Sequence, residues 1–325
     1  MLKCDSILRS PPHSPDENIS TKISPCAKSI LDLPDSEIAV VALVAIDQHD
    51  RQIESGSETV KKNAPETSIS IVSIPGLPVL CVKHFKDRGA GYSLKGVLRS
   101  THGSRAFHNG AFLFERGFTA AAPVALVLKR RCRIITEEWL VMTAVPDARE
   151  LDRYMVNRIK KQWSKEEKRR FLEIFADFLA GLHGSGVFHT DLKTCNIIVS
   201  ESHSLDHGVG HDLHCLDSIS FSLLDYDDVR RFRKDVNGKM RAKNLAQLFL
   251  SSPSAIDLND RLEFFDRYIK VSANIDCDKN GLMKMILKRI KGKSLLYVGP
   301  EGDISESWRC NANCCEKTRR TGDVR

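Results

Sequence analysis

Apolar positions spaced three and four apart predict a helix over 164–183. Phe171, Leu172, Phe175, Phe178, Leu179 and Leu182 fall on one side of it. Ser164 with Glu167 three residues on forms a capping box at its start, and Gly184 and Gly186 mark its end. Upstream the period shortens to two. Residues 68–74 and 78–85 read as strands about a turn at Pro75-Gly76, with further strands at 124–128 and 138–143. Between the two pairs, 103–116 has helical spacing, with Ser104 as the expected N-cap and Gly117 as the stop. The most apolar run, 38–46, reads as a buried strand or a short helix. After the long helix come Val187-Phe188-His189, apolar strands at 197–199 and 221–224 that form a hairpin, and helical patterns at 241–250, 258–269 and 282–290. The polar stretch 201–219 is expected to be a loop.

That order implies an α+β fold with a small β-rich lobe and a larger helical lobe. Residues 1–36 contain Ser-Pro-Pro-His-Ser-Pro, Pro25 and Pro34 among polar residues and read as a flexible arm, so 1–55 is set apart from the folded domain as an N-terminal arm, flexible or of open structure. The folded domain is then expected over 56–295, with the small lobe at about 56–143 and the large lobe at about 146–295. Residues 296–325 form a tail.

The chain has 325 residues, 42% hydrophobic and 28% charged, enough to build a sizeable core. No apolar run approaches the roughly 18–20 residues needed to cross a bilayer, and 38–46 lacks the setting of a signal peptide. The 10 cysteines contain no Cys-x-x-Cys pair, so reduced thiols are expected. Cys310, Cys314 and Cys315 cluster in the tail without a fourth spaced ligand, which argues against a zinc site. The net charge of +7 is bunched at 129–133, 158–161, 168–170, 230–234 and 284–293. Aromatics do not interleave with these runs, so an anionic substrate or membrane surface is favoured over nucleic acid.

One stretch carries chemistry: Phe188-His189-Thr190-Asp191-Leu192-Lys193-Thr194-Cys195-Asn196, followed about 30 residues later by Leu224-Asp225-Tyr226-Asp227-Asp228. This His-x-Asp-Leu-Lys-x-x-Asn…Asp pattern resembles the protein-kinase-like superfamily. Phosphoryl transfer asks for an acceptor oxygen in line with the γ-phosphorus and positive charge around the phosphate oxygens. Asp191 can orient the acceptor hydroxyl and take its proton, and Lys193 can neutralise the γ-phosphate. Asn196 and Asp225 offer oxygens to Mg²⁺, a hard cation. His189 fits a loop brace better than a reactant. Lys83, in the strand run Val79-Leu80-Cys81-Val82-Lys83, suits the α/β-phosphates of ATP. The strand through Met142 leads to a hinge where backbone at 143–145 would meet adenine, which makes Met142 and Val145 cofactor-binding candidates. Asp227 and Asp228 suit turn capping better than a second metal.

Other features are similar to the lipopolysaccharide core-sugar kinases, the Kdo/WaaP family. They are Asp225-Tyr226-Asp227-Asp228-Val229-Arg230-Arg231-Phe232 in place of Asp-Phe-Gly, the run Arg241-x-x-Asn244-Leu245-x-x-Leu248, and Ser104-Arg105-Ala106-Phe107 with Glu115-Arg116-Gly117-Phe118-Thr119 and Pro123. No activation loop or Ala-Pro-Glu motif follows Asp225. The resemblance spans roughly 60–270. It implies a protein-kinase-like two-lobed fold and ATP- and Mg²⁺-dependent phosphorylation of a sugar hydroxyl of the lipopolysaccharide inner core. The acceptor would be a glycolipid or small-molecule sugar. The protein would be cytoplasmic, peripheral to the inner face of the inner membrane. Two departures stand out. No Gly-x-Gly-x-x-Gly precedes Lys83, since the first hairpin turn falls near 61–67 without glycine. The helix at 103–116 offers no good acid for Lys83: His108 and Asn109 lie where one might sit, and Glu115 is near the helix end. These departures keep open a catalytically silent kinase-like binding module, or a kinase-like enzyme acting on another small molecule or a protein.

Overall fold

The computed structural model describes residues 17–86, 100–131, 134–145, 147–201, 219–253, 255–293, 297–298 and 304–305. The expected loop at 201–219 and the tail cysteines lie almost wholly outside them. The chain divides into two units, Met1–Ala144 and Val145–Arg325.

The first unit is built on an antiparallel sheet of order β1-β5-β6-β4-β3-β2. Its strands are β1 (Glu17–Ile23), β2 (Val60–Asn63), β3 (Thr67–Val72), β4 (Leu80–Phe85), β5 (Pro123–Arg131) and β6 (Ile134–Thr143). Helices α1 (Ala27–Leu31) and α2 (Asp35–Ser55) precede β2, and α3 (His102–Glu115) lies between β4 and β5. The period-two alternation sends Val82, Trp139 and Val141 into one core with Ile38, Ala42 and Ala45 of α2. It sends Phe85 and Glu138 to the opposite face, where Phe85 meets His102 of α3 at 6.4 Å between ring centroids.

Two expectations are corrected here, and the choice between strand and helix for 38–46 resolves to helix. Residues 17–55 are not a flexible arm. β1 pairs with β5 along its whole length, from Glu17 with Arg131 to Ile23 with Ala125, and α2 covers the sheet. The apolar run 38–46 is the middle of the 21-residue helix α2, stopped by Gly56 at φ 65°. The cap of α3 is Thr101, whose hydroxyl accepts from the Ser104 N–H. The cap lies three residues before Ser104 because the Glu138 carboxylate, in β6, takes a hydrogen bond from the Thr101 hydroxyl at 2.6 Å and others from the Gly103 and Ser104 amides.

The second unit opens with β7 (Arg149–Glu150) and α4 (Leu151–Lys160). The long helix α5 (Lys165–Gly184) follows, with the Ser164–Glu167 capping box formed. Next come β8 (Val187–His189), β9 (Ile197–Glu201), β10 (Ile219–Leu223) and β11 (Val229–Arg231). Helices α6 (Gly238–Ser251), α7 (Leu258–Val271) and α8 (Lys279–Ile290) complete it. β9 and β10 pair antiparallel, and β8 pairs with β11. Phe175 of α5 packs on Phe221 of β10 and Phe264 of α7, with ring centroids 5.0 and 5.3 Å away. This aromatic layer holds the hairpin against the helices. In the tail, β12 (Tyr297–Val298) pairs with β13 (Ile304–Ser305).

Candidate active site

The loop between β8 and β9 carries Asp191, Lys193 and Asn196. His189 is fully buried at its start. Its Nε2 donates to the Leu224 carbonyl at 3.1 Å, and its Nδ1 accepts the Asp191 N–H at 3.2 Å. These partners define the neutral Nε2–H ring. The ring thus ties the catalytic loop to the segment that ends at Asp225. Thr190 completes the tie: its hydroxyl donates to Asp228 Oδ1 at 2.8 Å and its amide to the Asp228 carbonyl at 2.9 Å.

The Asp191 carboxylate is partly exposed, and the Lys193 ammonium lies 3.0 Å from its Oδ2. Asn196 donates its Nδ2 to the Asp191 carbonyl at 2.8 Å, so its amide oxygen is the end left to accept. That oxygen receives a weak thiol contact from Cys195 at 3.9 Å. Burial pushes the Cys195 thiol up to about 11, which keeps it protonated and poorly nucleophilic. Asp225 sits at the end of the hairpin with φ 50° and ψ 55°, in the left-handed region that Asp tolerates better than most residues. Oxygen-only donors at Asn196 and Asp225 suit a hard cation such as Mg²⁺.

Helix α6 supports this loop from below. Asn244 donates to the His189 carbonyl at 2.6 Å and to Gln247 Oε1 at 3.0 Å. Gln247 accepts the Leu192 N–H at 3.2 Å and donates to the Thr190 carbonyl at 3.0 Å. Ser251 accepts the Thr194 N–H at 2.9 Å. Positions 244, 247 and 251 share one helix face, so three side chains meet one stretch of loop backbone. Behind Asn244 lies a buried chain of polar groups. His183 Nε2 faces Asn244 Oδ1 at 3.1 Å, and its Nδ1 faces the Tyr268 hydroxyl at 2.7 Å. Arg241, with no exposed surface, donates to that hydroxyl at 2.9 Å and to the Val236 carbonyl at 2.6 Å. Burial and the Arg241 charge depress His183 to about 3.

A sequence model of the lipopolysaccharide kinase (Kdo/WaaP) family matches residues 92–268, more than half of the chain. The chain belongs to that family. The family is one of kinases, which are phosphotransferases. No match was found among curated proteins. Among solved structures, the chain is similar to "WaaP in complex with acyl carrier protein". Identity is 18%, the TM-score is 0.52, and the alignment covers 84% of this chain and 98% of that one. This likeness shows the kinase-like two-lobed α+β fold. A pseudokinase domain of the immune regulator BIR2 aligns at 13% identity over 77% of each chain, with a TM-score of 0.36.

In this Kdo/WaaP chain, His189, Asp191, Lys193, Asn196 and Asp225 come together in the second unit. Lys83 and Met142 belong to the first unit, and Val145 begins the second. Lys83 lies in β4 between Ile69 and Leu140, with its ammonium 5.0 Å from the centre of the Phe85 ring. Met142 is buried in β6 opposite Cys81. The hairpin turn between β2 and β3 is closed by reciprocal backbone hydrogen bonds of Ala64 and Thr67, at 3.0 and 3.3 Å, around Pro65-Glu66. Its tip therefore holds no glycine, and Pro65 brings no N–H. Sequence reasoning missed Gln247 and Ser251; their spacing from Asn244 on one helical face is the signal that exposes them. It also missed Glu138. Burial raises the pKa of Glu138, and its carboxylate organises the start of α3.

Proposed function

We propose that this protein is an ATP- and Mg²⁺-dependent kinase that phosphorylates a sugar hydroxyl of the lipopolysaccharide inner core at the cytoplasmic face of the inner membrane. The observation that carries the reading is the Asp191–Lys193 pair on a loop whose backbone is fixed by His189, Asn244 and Gln247, in a chain of the Kdo/WaaP family. Asp191 orients the acceptor hydroxyl and takes its proton as the oxygen attacks the γ-phosphorus. The P–O bond to the β-phosphate breaks, and ADP leaves with that oxygen. Lys193 lies 3.0 Å from Asp191 and offsets charge on the transferring group. Asn196 and Asp225 would hold Mg²⁺, which supplies charge neutralisation across the phosphates. Lys83 binds the α/β-phosphates, and Met142 and Val145 border adenine. The basic runs suit an anionic acceptor at a membrane. No helix among the described residues is long and apolar enough to cross one.

Asp191→Asn preserves the shape of the loop and removes the base. Turnover of an inner-core acceptor is expected to fall by roughly 10²–10⁴ with Mg-ATP binding retained. Equal activity in the variant would remove the assigned role. A second reading, a catalytically silent binding module, draws on the Pro65-Glu66 hairpin tip, which lacks the glycine backbone that covers phosphates in protein kinases. It predicts no phosphoryl transfer to any core acceptor at millimolar Mg-ATP.

A further inference from the structure

Beside Asp191 the second unit has a cavity of about 220 Å³. Asp191, Lys193, Lys243, Gln247, Arg289 and Lys293 supply its polar lining. Four of these are cations and one is a carboxylate, and that carboxylate is already 3.0 Å from Lys193. Lys243, Arg289 and Lys293 have no acidic partner among the described residues. Lys243 rests over the Phe188 ring at 5.6 Å, which supports the ammonium without neutralising it. One arm of the Arg289 guanidinium donates to the Lys239 carbonyl at 3.2 Å, which steadies it beside α6. Leu282 and Ile286 of α8 are fully buried, so the helix that presents Arg289 is anchored rather than loose. Gly238 accounts for the close approach of the chain just before α8 to the start of α6. A Cβ there would lie 2.7 Å from Cys277 Sγ and 2.8 Å from Asp276 Oδ1. Cations gathered at the rim of a cavity without matching acids raise the local potential and select an anionic ligand.

We infer that Lys243, Arg289 and Lys293 form an anion subsite for the acceptor, which takes a carboxylate or phosphate group carried next to the hydroxyl that faces Asp191. This rests on the kinase reading and gives it a specificity element. The volume is below the roughly 300–1,000 Å³ of drug-sized sites. It is therefore sized for one sugar unit with its charged substituent. Arg289 supplies a planar fork for two oxygens, while the lysines act as point charges. Arg289 and Lys293 lie beyond residues 92–268, so this part of the acceptor site comes from chain that the family match does not include.

The test is equilibrium binding of a deacylated, phosphorylated lipopolysaccharide inner-core oligosaccharide to the full chain, compared with Arg289→Gln/Lys293→Gln. Thermal stabilisation by Mg-ATP is measured in parallel on both proteins. The subsite predicts a loss of oligosaccharide affinity of at least tenfold in the double variant, with the same Mg-ATP stabilisation as the parent. Phosphatase treatment of the oligosaccharide abolishes the difference if the group is a phosphate, and carboxyl reduction abolishes it if the group is a carboxylate. Equal affinity in both proteins, no binding by the parent, or an equal loss of Mg-ATP stabilisation each overturns the proposal. Failure of the kinase reading shows separately, as a parent that Mg-ATP does not stabilise. The oligosaccharide comparison then still decides the subsite.

Discussion

Asp225 holds a left-handed backbone, φ 50° and ψ 55°, at the end of the hairpin. An L-residue there costs about 1–2 kcal/mol, less for Asp and nothing comparable for glycine. Two substitutions therefore separate the carboxylate from the backbone. Asp225→Gly removes the oxygens and relaxes the chain, whereas Asp225→Ala removes them and adds strain. Mg-ATP at about 100 times its dissociation constant is expected to stabilise the parent by about 2.7 kcal/mol. Both variants are expected to lose that increment. Without ligand, the alanine variant is expected to melt below the glycine variant. A glycine variant that keeps the full Mg-ATP shift would show that Asp225 does not hold the metal. At this scale the sequence was most readable. His189, Asp191, Lys193 and Asn196 sit within eight residues, so their geometry follows from one loop. The supports did not read out this way, because Gln247 and Ser251 are ordinary polar residues until α6 is laid against the loop.

Helix α6 acts as a unit through the polar chain Arg241–Tyr268–His183–Asn244, which ends on the His189 carbonyl. The pH response of that chain has a definite sign. Unfolded, the His183 ring titrates near 6.5; folded, it resists protonation down to about 3. Between those values the unfolded state binds a proton that the folded state refuses. The stability contributed by the neutral ring is complete above pH 6.5 and is lost as pH falls towards 3. From pH 7 to pH 5 this one group accounts for a loss of about 2 kcal/mol. Urea midpoints at the two pH values check it. His183→Gln cannot titrate, so its midpoint should fall less between pH 7 and pH 5 than the parent's. An identical fall would place the acid sensitivity elsewhere, with His49 of the first unit, depressed to about 4 by burial, next in line. The long helices were readable because their apolar residues recur on one side. The 38–46 run was ambiguous because Ile-Ala-Val-Val-Ala-Leu-Val-Ala-Ile is apolar all round. Length arbitrates such runs, and here the helix runs on to the Gly56 stop, ten residues beyond the apolar segment.

On the scale of the whole molecule, the largest departure from the sequence reading is residues 17–55. A segment rich in Pro and Ser supplies the edge strand of the first unit and the helix that covers its sheet. β1 is hard to see because its alternation, Ile19, Thr21 and Ile23, is short and set among polar residues; its strand character depends on pairing with β5. The contribution of α2 is apolar burial. Ile38, Ala42 and Ala45 have no exposed surface and lie in one cluster with Val72, Leu80, Val82 and Val141. Removing residues 1–56 would open that face of the sheet to water, together with the β5 edge that β1 pairs. Each large aliphatic side chain so exposed costs about 1.5–3 kcal/mol. Several of them together exceed the margin of a typical domain, about 5–15 kcal/mol. The truncated chain is therefore expected to aggregate, or to bind a hydrophobic dye while keeping helical circular dichroism. Ala42→Glu in the full chain should reproduce the defect through a single buried charge. Gel filtration and dye binding on the two variants check both statements. A monomeric truncated chain with parent-like melting would make 17–55 a dispensable addition, and the first unit would then have to draw its stability from the α3 side of the sheet alone.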